Sequence, residues 1–232
     1  MRNIYVSLTT VKDWRPKISE IDDLGLTELA LFPTAIELPE RQELYSAIEK
    51  TGLKKIPCVH LRDDMERWEI DWLIEKYGAE KFNLHPSKEA RAFLATNSDL
   101  KHLTYIENLD WLSSVFFELV EEAAGVCLDV SHYEDFGVMQ NSQGYEGFAE
   151  YLRNHTIGWN HVSAINDELA KNISAVNQGE IVEYNLHTIQ RLSQMDYLRG
   201  HLEVMSDTVA IELNNSLAEQ LKVKKYLESF IK

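Results

Sequence analysis

The sequence predicts an α/β fold, a single compact (β/α)8 TIM-type barrel with short loops. Three observations carry that prediction. Apolar, β-rich runs recur about every 25 to 30 residues. The segments between them place apolar residues at helical spacing. About eight such units fit into 232 residues, near the size of a compact barrel. Strand and helix in alternation imply parallel strands joined by helical crossovers, and eight units favour a closed ring over an open doubly wound sheet.

The strands are expected at "IYVSLTT" (4–10), "ELALFP" (28–33), "KIPCVHL" (55–61) and "KFNLHP" (81–86). Four more follow at "LTYIEN" (103–108), "GVCLDV" (125–130), "GWNHVS" (158–163) and "TVAIEL" (208–213). Pro57 stands near a strand start, where a missing N–H is tolerated. Helices are expected through "PERQELYSAIEKTG", "MERWEIDWLIEKYG" and "WLSSVFFELVEEA". The first two end at Gly, a common helix stop. In the last helix, Ser216 and Glu219 have the spacing of a capping box. Trp68 and Trp72, four apart, are expected on the core face of one helix. No Pro/Gly/Ser linker or low-complexity tract divides the chain, so residues 1–232 are read as one domain.

Charge and composition narrow the function. Hydrophobic residues make up 44% and charged residues 26%, which suits a water-facing globular surface over a packed core. No run has the length of a membrane span. "MRNIYVSLTT" reads as a first strand, since it lacks the apolar core and small-residue site of a signal peptide. Cys58 and Cys127 fall inside apparent core strands, so buried free thiols are expected, consistent with a reducing cytoplasm. The formal net charge is -15 and the pI about 4.9. That charge repels nucleic acid and anionic membrane, leaving a small molecule as the expected partner. Oligomeric state is left open.

The chemistry-bearing residues gather at strand ends. His60, His85 and Glu107 end three consecutive strands. Asp129 ends the next, with His132 three residues on. His161 lies in the seventh strand and Glu212 at the end of the eighth. Barrels of this class build their sites at the carboxyl ends of the strands. Side chains alternate along a strand, so Cys58 and His60, Tyr105 and Glu107, Cys127 and Asp129, and Ala210 and Glu212 share faces. Taken singly, each polar residue has a bland role: a satisfied histidine, a paired carboxylate, or Asp129 capping the following turn. Together, barrel closure would bring the carboxylates into one small volume, where protons or a cation must neutralise them. His, Asp and Glu without Cys suit Zn2+, Mn2+, Co2+ or Mg2+.

The pieces "VHL", "FNLHP", "IENLD", "VCLDVSHYED" and "AIELNNS" resemble, in order, the xylose-isomerase-like TIM barrels. That superfamily holds sugar and sugar-phosphate isomerases and epimerases, and the endonuclease IV group. The Asp-x-x-His step of "CLDVSHYED" is the most specific piece. The resemblance implies metal ligation by Glu107, Asp129, His161 and Glu212, with both glutamates also acting as acid and base. It sets His60, His85 and His132 at the places of the additional endonuclease IV histidines. One alignment selects His161 as the strand-seven ligand; another sets "AINDE" there and puts Ala164 in its place. Alternation lets only one of Asn160 and His161 face inward, and His161 is expected because Trp159 and Ser163 then share its face. The endonuclease IV Asp-x-His step after strand seven has no counterpart in "LAKNISAVNQGEI", so a trinuclear site is not expected.

The implied activity is a metal-dependent isomerase or epimerase acting on a small carbohydrate. Glu107 and Glu212, on nearly opposite sides of the ring, would exchange protons with carbon. His60 and His85 would orient substrate hydroxyls, and His132 would join the metal site. The alternatives are endonuclease IV-like phosphoester hydrolysis and a non-catalytic barrel that binds metal or a small ligand. His187 and His201 read as helix residues, and His102 and His155 as loop or helix-end residues, none with an assigned role.

Overall fold

The computed structural model describes residues 2–173 and 180–231. Its main sheet is wholly parallel. In chain order the strands are β1 (Asn3–Tyr5), β2 (Ser7–Thr9), β3 (Ala30–Phe32), β4 (Cys58–His60), β5 (Lys81–Leu84) and β6 (Thr104–Glu107). They continue with β7 (Val126–Asp129), β8 (Ile157–Val162), a separate pair β9 (Ala164–Ile173) and β10 (Glu180–Leu186), and β11 (Thr208–Ile211). β1 and β2 are two halves of one opening strand, and they close the ring. Asn3, Ile4 and Tyr5 pair with Thr208, Val209 and Ala210 of β11. Ser7, Leu8 and Thr9 pair with Ala30, Leu31 and Phe32 of β3. Between these ends the order β3-β4-β5-β6-β7-β8-β11 follows the chain. The barrel predicted from strand–helix alternation is therefore the observed fold.

The helices are α1 (Arg15–Asp23), α2 (Leu38–Ile48), α3 (Arg67–Tyr77), α4 (Lys88–Thr96) and α5 (Ser114–Glu122). The short α6 (Val130–His132) runs into a π-helical turn over Tyr133–Met139, and α7 (Phe148–Arg153) and α8 (Leu217–Glu228) complete the set. Their ends have local causes. Pro stands in the first turn of α1 and α2, where its missing N–H costs nothing. Ser87 and Ser113 accept the Ala90 and Phe116 amides at the starts of α4 and α5. The capping box of α8 forms as expected, with Ser216 Oγ accepting from Glu219 N at 3.2 Å. α3 stops at Gly78, which takes the left-handed conformation at φ 65°. Among the described residues, no helix is long and apolar enough to cross a membrane.

Two apolar layers result from strand alternation. One, between barrel and helices, holds Leu8, Leu31, Val59, Phe82, Ile106, Leu128 and Val209 among others. The second fills the barrel: Ala30, Phe32, Cys58, Cys127, Trp159 and Ala210, with Tyr5 and Tyr105 against it. Both cysteines are buried free thiols. The pairing of β7 with β8 slips by one residue at Gly158. A side chain there would drive a Cβ to 2.1 Å from the Tyr105 ring, so the bulge requires glycine.

Two local expectations fail. Trp68 is 41% exposed rather than core, its indole donating to Glu66 at the start of α3. The connection from β8 to β11 is not an α-helix. It is the antiparallel pair β9–β10 followed by a 3-10 segment, Leu192–Gly200. The returning strand buries Glu183 and Asn185 and leaves Val182 43% exposed. Residues 174–179 of "LAKNISAVNQGEI" lie outside the described residues.

Candidate metal centre

Six strands deliver polar side chains above the Trp159 layer. His60 ends β4, Asn83 and His85 stand at β5 and just past it, Glu107 ends β6, Asp129 ends β7, His161 lies near the end of β8, and Glu212 follows β11. Each of Glu107, Asp129, His161 and Glu212 has a ligand atom within 4.8 Å of the others'. His60, His85 and Glu107 form a second such group. Glu107 belongs to both.

His161 is the pivot. Its ring is fully buried and held by edge contacts with Phe32 and Trp159, centroids 4.9 and 4.5 Å away. Its Nδ1 lies 3.4 Å from Glu107 Oε1 and 3.2 Å from Glu212 Oε2. Neither approach has hydrogen-bond geometry, and both ring nitrogens lack a partner. Asn160 turns outward instead, bonding the Leu128 carbonyl and the Ser206 amide. The two glutamates, on separated strands, thus meet around one imidazole.

Asp129 serves two purposes. Its Oδ1 accepts from the amides of Ser131 at 2.8 Å and His132 at 2.9 Å, and from the Ser131 hydroxyl. That is the capping role. Its Oδ2 is buried with no hydrogen bond, as is Glu212 Oε2. His132 Nε2 stands 3.7 Å from Asp129 Oδ2.

His60 is fixed by its Nδ1, 2.9 Å from the Leu61 carbonyl. A carbonyl only accepts, so Nδ1 carries a proton. Nε2 then faces His85 Nε2 at 3.0 Å and Glu107 Oε2 at 3.0 Å. Glu107 Oε2 also receives Asn83 Nδ2. His85 is the most open of the set, its side chain 39% exposed.

Crowding perturbs every acid here. Burial would raise Glu107, but His161, His60 and His85 hold its carboxyl well below the ordinary range. Burial likewise opposes Glu212, which His187 and His161 bring down to about 2. Asp129 goes the other way: burial raises it, against His132 and with Glu212 and Glu107 adding to the rise. His161 is raised well above an ordinary histidine, against its burial, by Cys127 and Glu107.

These residues fit a divalent cation. Three carboxylates converge, those of Glu107 and Asp129 buried and that of Glu212 16% exposed, and a protonated His161 would offset only one charge. Uncompensated buried charge is among the costliest arrangements in a protein. One oxygen each of Asp129 and Glu212 makes no hydrogen bond, and a shared cation would satisfy both, with oxygen and imidazole donors suited to Zn2+, Mn2+, Co2+ or Mg2+.

No protein-family model matches the sequence, and no curated protein matches it significantly. A solved structure resembles it in fold. That structure is a xylose isomerase-like TIM barrel protein from Mycobacterium smegmatis in complex with magnesium. The two chains are 11% identical, with a TM-score of 0.47, over 100% of this chain and 98% of that one.

Two neighbours of the centre had no role in the sequence reading. Asn83 shares its strand face with His85 and could have been found by the alternation that located Glu107. His187 is not helical: it follows β10, with Nδ1 3.2 Å from the Glu212 carbonyl and 3.9 Å from Glu212 Oε1. His201 closes the 3-10 segment and pairs with Glu134 at 2.7 Å, away from the centre.

Proposed function

We propose that the protein is a divalent-metal-dependent isomerase or epimerase, moving a proton at carbon on a small hydroxylated, sugar-like substrate. The observation that carries this is the convergence of Glu107, Asp129, His161 and Glu212 within 4.8 Å, with one oxygen of Asp129 and one of Glu212 making no hydrogen bond. Those four residues would hold the cation. When bound, it would polarise substrate oxygens and so acidify the adjacent C–H.

Glu107 and Glu212 supply the proton chemistry. One carboxylate takes the proton from carbon as the C–H electrons move toward the carbonyl. The carboxyl so formed exchanges with solvent and returns a proton to the neighbouring carbon as the carbonyl re-forms there, the hydroxyl proton passing to the former carbonyl oxygen. One proton leaves carbon and one arrives, so the glutamate ends as the carboxylate it began, in keeping with the low pKa of both. The imidazole between them keeps both oxygens close to one point. His85, open at the rim, and His60 beside it would orient hydroxyl groups. Walls of Phe32 and Trp159 keep water from below.

Candidate ketoses incubated in D2O with Mn2+ or Co2+ should gain solvent deuterium at carbon, and Glu107→Gln should abolish the gain. A second observation favours a different reaction. His60, His85 and Glu107 form their own ligand group, and a second cation there would suit phosphoester hydrolysis. Cleavage of abasic DNA without deuterium exchange would establish that hydrolase and displace the isomerase. Metal binding with neither activity on a broad panel would indicate a binding barrel.

A further inference from the structure

The side chains behind Asp129 connect the centre to the β9–β10 hairpin. Ser131 Oγ touches Asp129 Oδ1, Ser163 Oγ lies 2.8 Å from Ser131 Oγ, and the Asn185 side-chain amide touches Ser163 Oγ. All four residues are buried to 1% exposure or less. Counting protons gives this chain a direction. Asp129 Oδ1 already accepts two backbone amides and so bears no proton, and Ser131 spends its one hydroxyl proton there. The contact between the two serines then needs the proton of Ser163. With that proton spent, Ser163 can only accept from Asn185.

The Asn185 amide is placed with Oδ1 toward Ser163, and its buried Nδ2 has no partner. Turning the amide by half a rotation presents NH2 to Ser163 and exchanges the stranded donor for an acceptor without a partner, the less demanding of the two. Amide orientation is assigned from such networks. We infer that Asn185 is a positioning residue for Asp129, donating through Ser163 and Ser131 to Oδ1. This rests on the proposed metal centre only in that Oδ2 is the atom offered to the cation. With Oδ1 saturated by two amides and a hydroxyl, the carboxylate cannot rotate without breaking three hydrogen bonds. Oδ2 is thereby kept facing Glu107, His161 and Glu212.

Asn185 itself is anchored from the other side. Asp135 Oδ2 accepts the amides of Tyr184 and Asn185, both at 2.7 Å. The hairpin is thus fastened to the same segment that begins at Asp129. A residue 56 positions downstream of Asp129 (185 − 129) in the chain controls the angle of its carboxylate.

The test is a double-mutant cycle with Asn185→Ala and Ser163→Ala in the full chain. The first readout is hydrogen exchange of the Ser131 and His132 amides in metal-free protein, because their acceptor is Asp129 Oδ1. The second is Mn2+ affinity, measured from free Mn2+ by electron paramagnetic resonance. Each single variant should speed exchange at those two amides by about tenfold and weaken Mn2+ by about tenfold to a hundredfold, the usual range for residues behind metal ligands. The double variant should be no worse than the weaker single, since either change cuts the same relay. Additive losses, or exchange at Ser131 and His132 unchanged in Ser163→Ala, would overturn the inference. If the wild type takes up no Mn2+, the metal-centre proposal fails, while the exchange cycle still decides the relay. Should Ser163→Ala unfold, Asn185→Ser decides instead: a shortened donor should leave the core amides protected and expose these two.

Discussion

Replacing Asp129 by Asn separates a metal centre from a buried ion-pair network, because the two predict opposite effects on stability. The amide keeps an oxygen to accept from Ser131 N and His132 N. It removes one negative charge and puts NH2 where Oδ2 now lies unpaired. In metal-free protein the lost charge relieves repulsion. Two unit charges 4.8 Å apart, the outer spacing of the cluster, interact by about 3.5 kcal/mol at an effective dielectric of ~20. His132 and His161 offset part of that, so the metal-free variant should gain about 1–2 kcal/mol, or a few degrees in Tm for a chain this long. With Mn2+ the order reverses. A cation at a hundredfold excess over its Kd stabilises the wild type by ~2.7 kcal/mol, a rise of about 5–11 °C. The variant should show almost none of that rise. The assay is thermal unfolding by circular dichroism, with chelator and with Mn2+. An equal Mn2+ rise in both proteins would refute the assignment of Asp129 as ligand. A loss of several kcal/mol in the metal-free variant would show that the carboxylate is compensated within the fold.

Other parts of the structure make sharp predictions. Gly158→Ala forces a Cβ against the Tyr105 ring at 2.1 Å and should cost about 1–3 kcal/mol by urea unfolding. Tyr105→Leu in the same background should recover part of it. Arg41 and Glu69 form a fully buried bidentate pair between α2 and α3, at 2.8 and 3.0 Å. Arg41→Met should cost about 3–5 kcal/mol by stranding the carboxylate, and Arg41→Met with Glu69→Leu much less. Lys17 is buried against Thr9 and the Leu213 carbonyl, and burial lowers its pKa to about 8. Between that value and the ordinary lysine value of 10.5 the unfolded chain binds the extra proton, so stability rises with pH. The wild type should therefore gain stability relative to Lys17→Met as pH climbs through that window, and a flat difference would contradict it.

The barrel was legible because its signals are local and repeated. Val126, Cys127, Leu128 and Asp129 alternate between the helix-facing layer and the barrel interior, and so do their counterparts in the other strands. The alternation that places Cys58, Cys127 and Ala210 inside also places His60, Asp129 and Glu212 above them, without any tertiary information. The β8–β11 connection was opaque for the converse reason. β10 buries Glu183 and Asn185 and exposes Val182, so its polarity is inverted relative to an ordinary half-buried strand. Hydrophobic periodicity reads such a segment as surface.

The same inversion hid His187. Its role depends on a crossing, where the chain leaving β10 meets the carbonyl of Glu212 and is tied there by Asn214 N to the His187 carbonyl at 2.6 Å. Nothing within a few residues of His187 announces that meeting. Sequence periodicity locates residues that one element aims by itself, such as Glu107 on β6. It misses residues aimed by two elements at once, and the chain from Asn185 to Asp129 is of that second kind. The proposed ligands stand where strand alternation puts them, but the proposed relay orients at least one carboxylate from a hairpin that alternation misreads. A substitution in that hairpin, far from the ligands in sequence, should therefore reach the centre through Ser163 and Ser131 before it affects the barrel.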